Sequence, residues 1–179
     1  MSDKAKEDTF DGLAGVVPGA IATAGVRGSA RVGGHRLDRP LSKSDIELLA
    51  QVPLFAGLSR RHLKRLAEHA DLAGLRSGEL IVQEGTAGGT FYVIVQGEAK
   101  VRQHGRAIAT LGPGDFFGEI SLLDGGPRTA DVLATTPITA IRIFKRSFDA
   151  MVSEEPGVAA KILSVVAGRL RDAERSISS

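Results

Sequence analysis

The chain has 179 residues, 42% hydrophobic and 25% charged, with a formal net charge of +2. That composition is ordinary for a globular protein of one domain with an appendage, and the charge is too near neutral to announce a nucleic-acid partner. Cysteine is absent, which excludes disulfide scaffolds, thiolate zinc sites and cysteine nucleophiles.

Residues 1–42 are rich in Gly, Ala and Arg and hold no sustained period. Gly25, Gly28, Gly33 and Gly34 would each cost about 1 kcal/mol inside a helix, so this stretch is expected to be a flexible tail, with order beginning at Leu41. The apolar run Leu13–Val26 falls far short of the roughly 20 residues that span a bilayer. The first eleven residues carry Asp3, Glu7, Asp8 and Asp11 against Lys4 and Lys6, unlike the basic leader of a secretion signal. A cytoplasmic protein with no membrane partner is therefore expected.

Residues 43–179 read as one domain. Ser42 or Ser44 caps a helix over Asp45–Gln51, with Glu47 three positions past Ser44 at capping-box spacing. Pro53 breaks it, and Leu54-Phe55 forms an apolar plug. Ser59 caps a second helix from Arg60 to about His69, with Leu63, Leu66 and Ala67 on one face. From about 70 to 145 the pattern becomes short β-like runs at Ala70–Leu75, Leu80–Gln83, Phe91–Gln96, Glu98–Gln103, Ala107–Leu111, Asp131–Ala134 and Ile138–Phe144, separated by Gly- and Pro-bearing turns. Such regular turn spacing without long crossover helices predicts a barrel or sandwich rather than a parallel α/β sheet. Helices return over about 146–176: a short one opened by Ser147, then one begun by Pro156. The second carries an apolar stripe at Val158, Ile162, Val165 or Val166, Leu170 and Ala173.

The most informative run is Phe116-Phe117-Gly118-Glu119-Ile120-Ser121-Leu122-Leu123-Asp124-Gly125-Gly126-Pro127-Arg128-Thr129-Ala130. A Glu and an Arg lie nine positions apart, joined by a helix-like turn and a Gly-Gly-Pro bend. Amides at the start of a short helix, around Ser121 and Leu122, suit the oxygens of a phosphodiester monoanion. Arg128 adds a charge-assisted bond, Glu119 accepts from a sugar hydroxyl, and Gly118 lets the backbone approach closely. Taken singly, Arg128 and Glu119 would read as a surface ion pair worth under about 1 kcal/mol. Jointly, between flanking strands, they read as a binding site.

This run resembles the phosphate-binding cassette of the cyclic-nucleotide-binding domain family, found in catabolite-activator-type regulators, cyclic-nucleotide-dependent kinases and gated channels. The likeness covers roughly residues 50–175, including Pro53-Leu54-Phe55, Gly78 with Ile81 and Gly85, Phe91-Tyr92-Val93-Ile94-Val95-Gln96-Gly97, and Leu111-Gly112-Pro113-Gly114-Asp115 leading into the run above. It implies a mainly β fold with flanking helices: an eight-stranded antiparallel, jelly-roll-like β-roll with N-terminal helices and C-terminal lid helices. It further implies that Glu119 takes the ribose 2′-hydroxyl and Arg128 the exocyclic phosphate oxygens. Gly118 and Ile120 would frame the ribose, with Phe117 in the same site, while Ser121 and Ala130 contact the phosphate. Thr129 would stand beside the purine, its hydroxyl able to bond a guanine amino group or the phosphate. Val93 and Val95 would line the base pocket, and the helix from Val158 to about Ala173 would close over the base.

The expected ligand is cyclic AMP, with cyclic GMP the second choice, and no cofactor or metal is expected. Catalysis is disfavoured: His35, His62, His69 and His104 show no metal-ligand spacing, and neither a Gly-x-Ser-x-Gly elbow nor a Walker loop occurs. The chain runs 35 residues past Phe144 (179 − 144), and the lid helix uses most of them. A helix-turn-helix and sequence-specific DNA binding are therefore not expected. The resulting expectation is a non-catalytic sensor that rearranges its terminal helices and signals to an unidentified protein effector, with a homodimer through the last helix as an option. The alternatives are action on DNA or on a kinase or transporter partner through the tail or dimerisation, or a ligand-free structural roll.

Overall fold

A computed structural model of the chain describes residues 33–177; the readings that concern residues 1–32 lie outside it. Nine strands and five α-helices occupy the described residues. The first helix, α1 (Lys43–Gln51), is capped by Ser42, whose hydroxyl accepts from the Asp45 N–H at 3.2 Å while Asp45 accepts from the Ser42 N–H at 2.7 Å. The capping box is thus Ser42–Asp45 rather than the expected Ser44–Glu47. Asp45 wins because it is buried and also takes a hydrogen bond from Arg39 at 3.0 Å. A 3-10 turn at Pro53–Phe55 and α2 (Arg60–Glu68, capped by Ser59) follow. Leu63, Leu66 and Ala67 of α2 are buried, on the face their spacing predicted.

The strands are β1 (His35–Leu37), β2 (Asp71–Leu75), β3 (Leu80–Val82), β4 (Thr90–Gln96), β5 (Ala99–Gln103), β6 (Arg106–Leu111), β7 (Phe116–Phe117), β8 (Asp131–Ala134) and β9 (Ile138–Phe144). They form two sheets, β1-β2-β9-β4-β7 and β3-β8-β5-β6, and every pairing is antiparallel. This is the mainly β, jelly-roll-like architecture with flanking helices that the sequence indicates. Where eight strands were expected, the additional one is β1. Order therefore begins before Leu41, because His35, Arg36 and Leu37 pair with Gly74, Ala73 and Leu72. Arg142 fastens the same segment: its guanidinium grips Asp71 at 2.7 and 2.8 Å and donates to the Gly33 carbonyl at 3.0 Å. A three-residue strand held by an arginine more than a hundred positions away leaves no period to read locally.

The core divides in two. Tyr92, Ile94, Ala99, Phe117, Val132 and Ile138 fill the space between the sheets. Phe91, Val93, Ile141 and Ile143, on the opposite face of the larger sheet, pack under the helices against Leu54, Phe55 and Leu66. Phe55 meets Phe91 edge-on at 5.5 Å, so the expected plug seats on β4. After β9 come α4 (Lys145–Glu154) and α5 (Pro156–Ile177). The first opens at Lys145, not Ser147. No side chain caps it; instead the Lys145 N–H donates to the Gly89 carbonyl at 2.9 Å. Among the described residues no helix is long and apolar enough to cross a membrane.

Candidate functional site

The site is assembled around a short helix, α3 (Glu119–Asp124), bounded by two left-handed glycines, Gly118 (φ +86) and Gly125 (φ +72). Such angles cost a Cβ-bearing residue steric energy. At Gly118 space forbids one as well, since a Cβ would lie 2.6 Å from Arg128 Nη1 and 2.7 Å from the Thr90 carbonyl. Gly88 meets the same limit on the other side of α3, where a Cβ would stand 2.1 Å from that of Ser121. Two glycines from separate segments thus let α3 sit against β4 and the β3–β4 loop. The far end of α3 is tied by Lys145, whose ammonium donates to the Leu122 carbonyl at 3.1 Å.

Arg128 is held from three directions. Its N–H donates to the Thr86 carbonyl and its carbonyl accepts from the Gly85 N–H, both at 2.8 Å. Nη1 donates to the Thr90 carbonyl at 2.8 Å. The residue is only 8% exposed, and burial holds its guanidinium below its ordinary pKa. A guanidinium nevertheless stays charged in proteins. No ion pair among the described residues engages it. Buried in this way, Arg128 is not the surface residue that its pairing with Glu119 in isolation would suggest. Burial likewise pushes the nearby Tyr92 phenol upward, keeping it neutral, and its ring stacks on Phe117 at 4.9 Å.

These groups border a hollow of about 220 Å³. One wall comes from residues 116–121 and 128–130, so Phe117, Gly118, Glu119, Ile120, Ser121, Arg128, Thr129 and Ala130 are all brought together as the sequence suggested. Among the amides, Leu122 is not available, because its N–H closes the first helical turn onto the Gly118 carbonyl at 3.1 Å. The N–H groups of the preceding residues, Glu119 to Ser121, have no acceptor within the helix. The Ser121 hydroxyl donates to the Pro127 carbonyl at 3.3 Å, closing the bend that returns the chain to Arg128.

The opposite wall is apolar and comes from Val82, Val101, Ile108, Leu111 and Val132, with Gln103 among them. Val93 and Val95 do not line it. Side chains alternate along a strand, and Phe91, Val93 and Val95 all face the helical cluster, whereas Tyr92 and Ile94 face the inter-sheet space. Ile108 was missed for a related reason. Val101 pairs with Ala109 and Arg102 with Ala107, so Ile108 is an extra residue bulged from β6. A bulge re-aims its side chain against simple alternation, and Ile108 ends 57% exposed at the hollow.

No described residue of α5, the expected lid, lines the hollow. Instead Val158 and Ile162 are buried against the helical cluster, while Leu163 and Leu170 stay exposed. A larger groove of about 520 Å³ runs beside β1 and α2. Its charged side chains are Arg36, Arg39 and Lys64 against Asp38, Glu68 and Asp71, a balance that favours no ligand charge. Among the described residues no three His, Asp or Glu side chains converge as metal ligands.

The model of the cyclic nucleotide-binding domain family matches residues 74–155, a span that contains α3, Arg128 and both walls. The cyclic AMP receptor protein of Thermus thermophilus is 32% identical over 127 residues, covering 68% of this chain and 59% of that protein. A cAMP-dependent protein kinase regulatory subunit of Yarrowia lipolytica is 34% identical over 106 residues, covering 58% of this chain and 28% of the subunit. Among solved structures, the N-terminal domain of a transcriptional regulator from Streptomyces coelicolor superposes with a TM-score of 0.65 at 30% identity, covering 70% of this chain and 94% of that one. The chain belongs to the cyclic nucleotide-binding domain family. It spans about three fifths of the length of the bacterial regulators it matches.

Proposed function

We propose that this chain is a cyclic-nucleotide receptor that binds cyclic AMP in preference to cyclic GMP and performs no catalysis. The observation that carries the reading is Arg128: a buried guanidinium whose side-chain hydrogen bond goes to a neutral carbonyl. A buried cation is costly unless paired with an anion. Four further N–H donors of the fork remain for a singly charged diester. The Ile120 and Ser121 amides of α3 supply additional donors, and Glu119, on the same wall, has the chemistry to accept from the ribose 2′-hydroxyl.

The receptor unit begins before residue 43, since β1 is part of the larger sheet. Binding is read out by a change in the terminal helices, for which α3 has a direct connection: Lys145 bonds Leu122 of α3 and, at 3.0 Å, Asp149 of α4. The physical requirement is that the nucleotide bind one helix arrangement better than another. The exposed Leu163 and Leu170 of α5 are the surface on which a protein effector or a second copy would act. A cytoplasmic location fits this role, and the reading needs no sequence-specific DNA contact.

Calorimetric titration of the full chain with cyclic AMP and cyclic GMP in parallel tests it. Saturable uptake of cyclic AMP, lost in Arg128→Ala, is expected. Uptake of neither nucleotide, or unchanged binding in Arg128→Ala, would overturn the reading.

A further inference from the structure

Five polar side chains border the hollow: Gln103, Glu119, Ser121, Arg128 and Thr129. Arg128, Ser121 and Glu119 belong to the diester and ribose in the reading above. That leaves Gln103 and Thr129 as the side chains able to meet the polar edge of a base against an otherwise apolar wall.

Gln103 closes β5 at the hairpin turn and is half-buried. It shares an alternation with Val101, so both project into the hollow while Arg102 between them does not line it. Its Nε2 donates to the Thr129 carbonyl at 3.1 Å. A carbonyl only accepts, so the nitrogen side of the amide must face Thr129. That bond orients the amide, with Oε1 left as an acceptor and the second Nε2 hydrogen as a donor. An acceptor beside a donor complements adenine at its N6 amino group and N7 nitrogen, the pairing by which glutamine reads that base. Guanine offers two acceptors on the same edge, O6 and N7, and O6 would oppose Oε1.

We propose that Gln103 is the residue that selects adenine over guanine in this hollow, through the N6/N7 edge of the base, with Thr129 holding its amide in register. The proposal rests on the cyclic-nucleotide reading and adds to it the source of base preference. Nothing in the cassette itself is asked to tell the purines apart.

The test compares wild type, Gln103→Leu and Gln103→Glu by calorimetry with three probes: cyclic AMP, cyclic GMP and the cyclic monophosphate of purine riboside, which lacks the 6-amino group. Wild type should bind cyclic AMP about tenfold more tightly than the probe lacking the amino group. Gln103→Leu should bind those two alike, having lost about tenfold for cyclic AMP while cyclic GMP stays within about twofold. Gln103→Glu loses both the donor to N7 and the bond to the Thr129 carbonyl, so its cyclic AMP affinity should fall below that of wild type. The proposal is overturned if Gln103→Leu weakens cyclic AMP and cyclic GMP equally, which would make Gln103 a support for Thr129 alone. It is overturned too if the variant still distinguishes the 6-amino group. If wild type binds none of the three probes, the cyclic-nucleotide reading falls first; the variant comparison fails separately, with wild-type binding intact.

Discussion

The two walls of the hollow solve different physical problems. On the cassette side, a helix of six residues is locked between two glycines that tolerate no Cβ, Gly118 and Gly88, and Arg128 is pinned by backbone bonds to Gly85 and Thr86. Its side chain is nearly enclosed. On the strand side, Val101, Ile108 and Leu111 contribute surface without hydrogen bonds, and Ile108 is more than half exposed. A charge in a poorly polarisable site demands exact placement, because a donor left unpaired there costs about 1–3 kcal/mol, more for a charged group. Apolar contact is non-directional and scales with area. The cassette wall should therefore be intolerant of change and the strand wall graded.

The sharpest break of that contrast is Arg128→Ala. Removing the buried charge partner should weaken cyclic AMP binding about 100-fold or more, measured by calorimetry. A loss of only a few-fold would place the phosphate elsewhere. Next comes Gly118→Ala, which forces a Cβ onto the Arg128 fork and the Thr90 carbonyl at a left-handed angle. It should cost about 2 kcal/mol of stability and about tenfold in affinity, seen as a lower Tm and a weaker titration. Ile108→Ala comes third. It should weaken binding by about 3- to 10-fold and leave Tm nearly unchanged, since the side chain is largely exposed. A collapse of stability instead would show the bulge to be structural.

The smallest effect, distant from both walls, is the Asp45 cap. Burial pushes its carboxyl upward, but the Ser42 N–H, the Arg39 guanidinium and the Ser42 hydroxyl outweigh that and hold it below its ordinary 3.8. A carboxyl depressed by folding stabilises the protein above its unfolded pKa and loses that contribution as pH falls through the folded one. Asp45→Asn should therefore unfold more easily than wild type near neutral pH, by about 1 kcal/mol. The two should converge as the pH drops below 3.8 in denaturant titrations, with nucleotide affinity equal throughout.

Much of this was legible without coordinates, and unevenly so. Ser59, Pro156 and the alternating strands announce their elements because caps, a missing amide hydrogen and a two-residue period act within a few positions. The cassette wall is legible for the same reason: residues 116–130 carry their own turn glycines, helix and arginine in one short run. The strand wall is not. Val93 and Val95 sit on the helical side because the parity of β4 is decided by which face the helices cover, and no local pattern states that when both faces are apolar. Ile108 points inward because β6 gains a residue against β5, a fact of register between two strands.

β1 exists because Arg142 and the β2 edge receive it. α5 is seated by Val158 and Ile162, which are buried in the helical cluster. Taken by itself, then, the sequence determined the strand-rich class, the Ser59 cap and the cassette wall, since each is specified by interactions among near neighbours. Only the tertiary structure decided the opposing wall, the first strand and the seat of the last helix. Those depend on register and on which apolar faces meet, and both are properties of segments brought together across the chain.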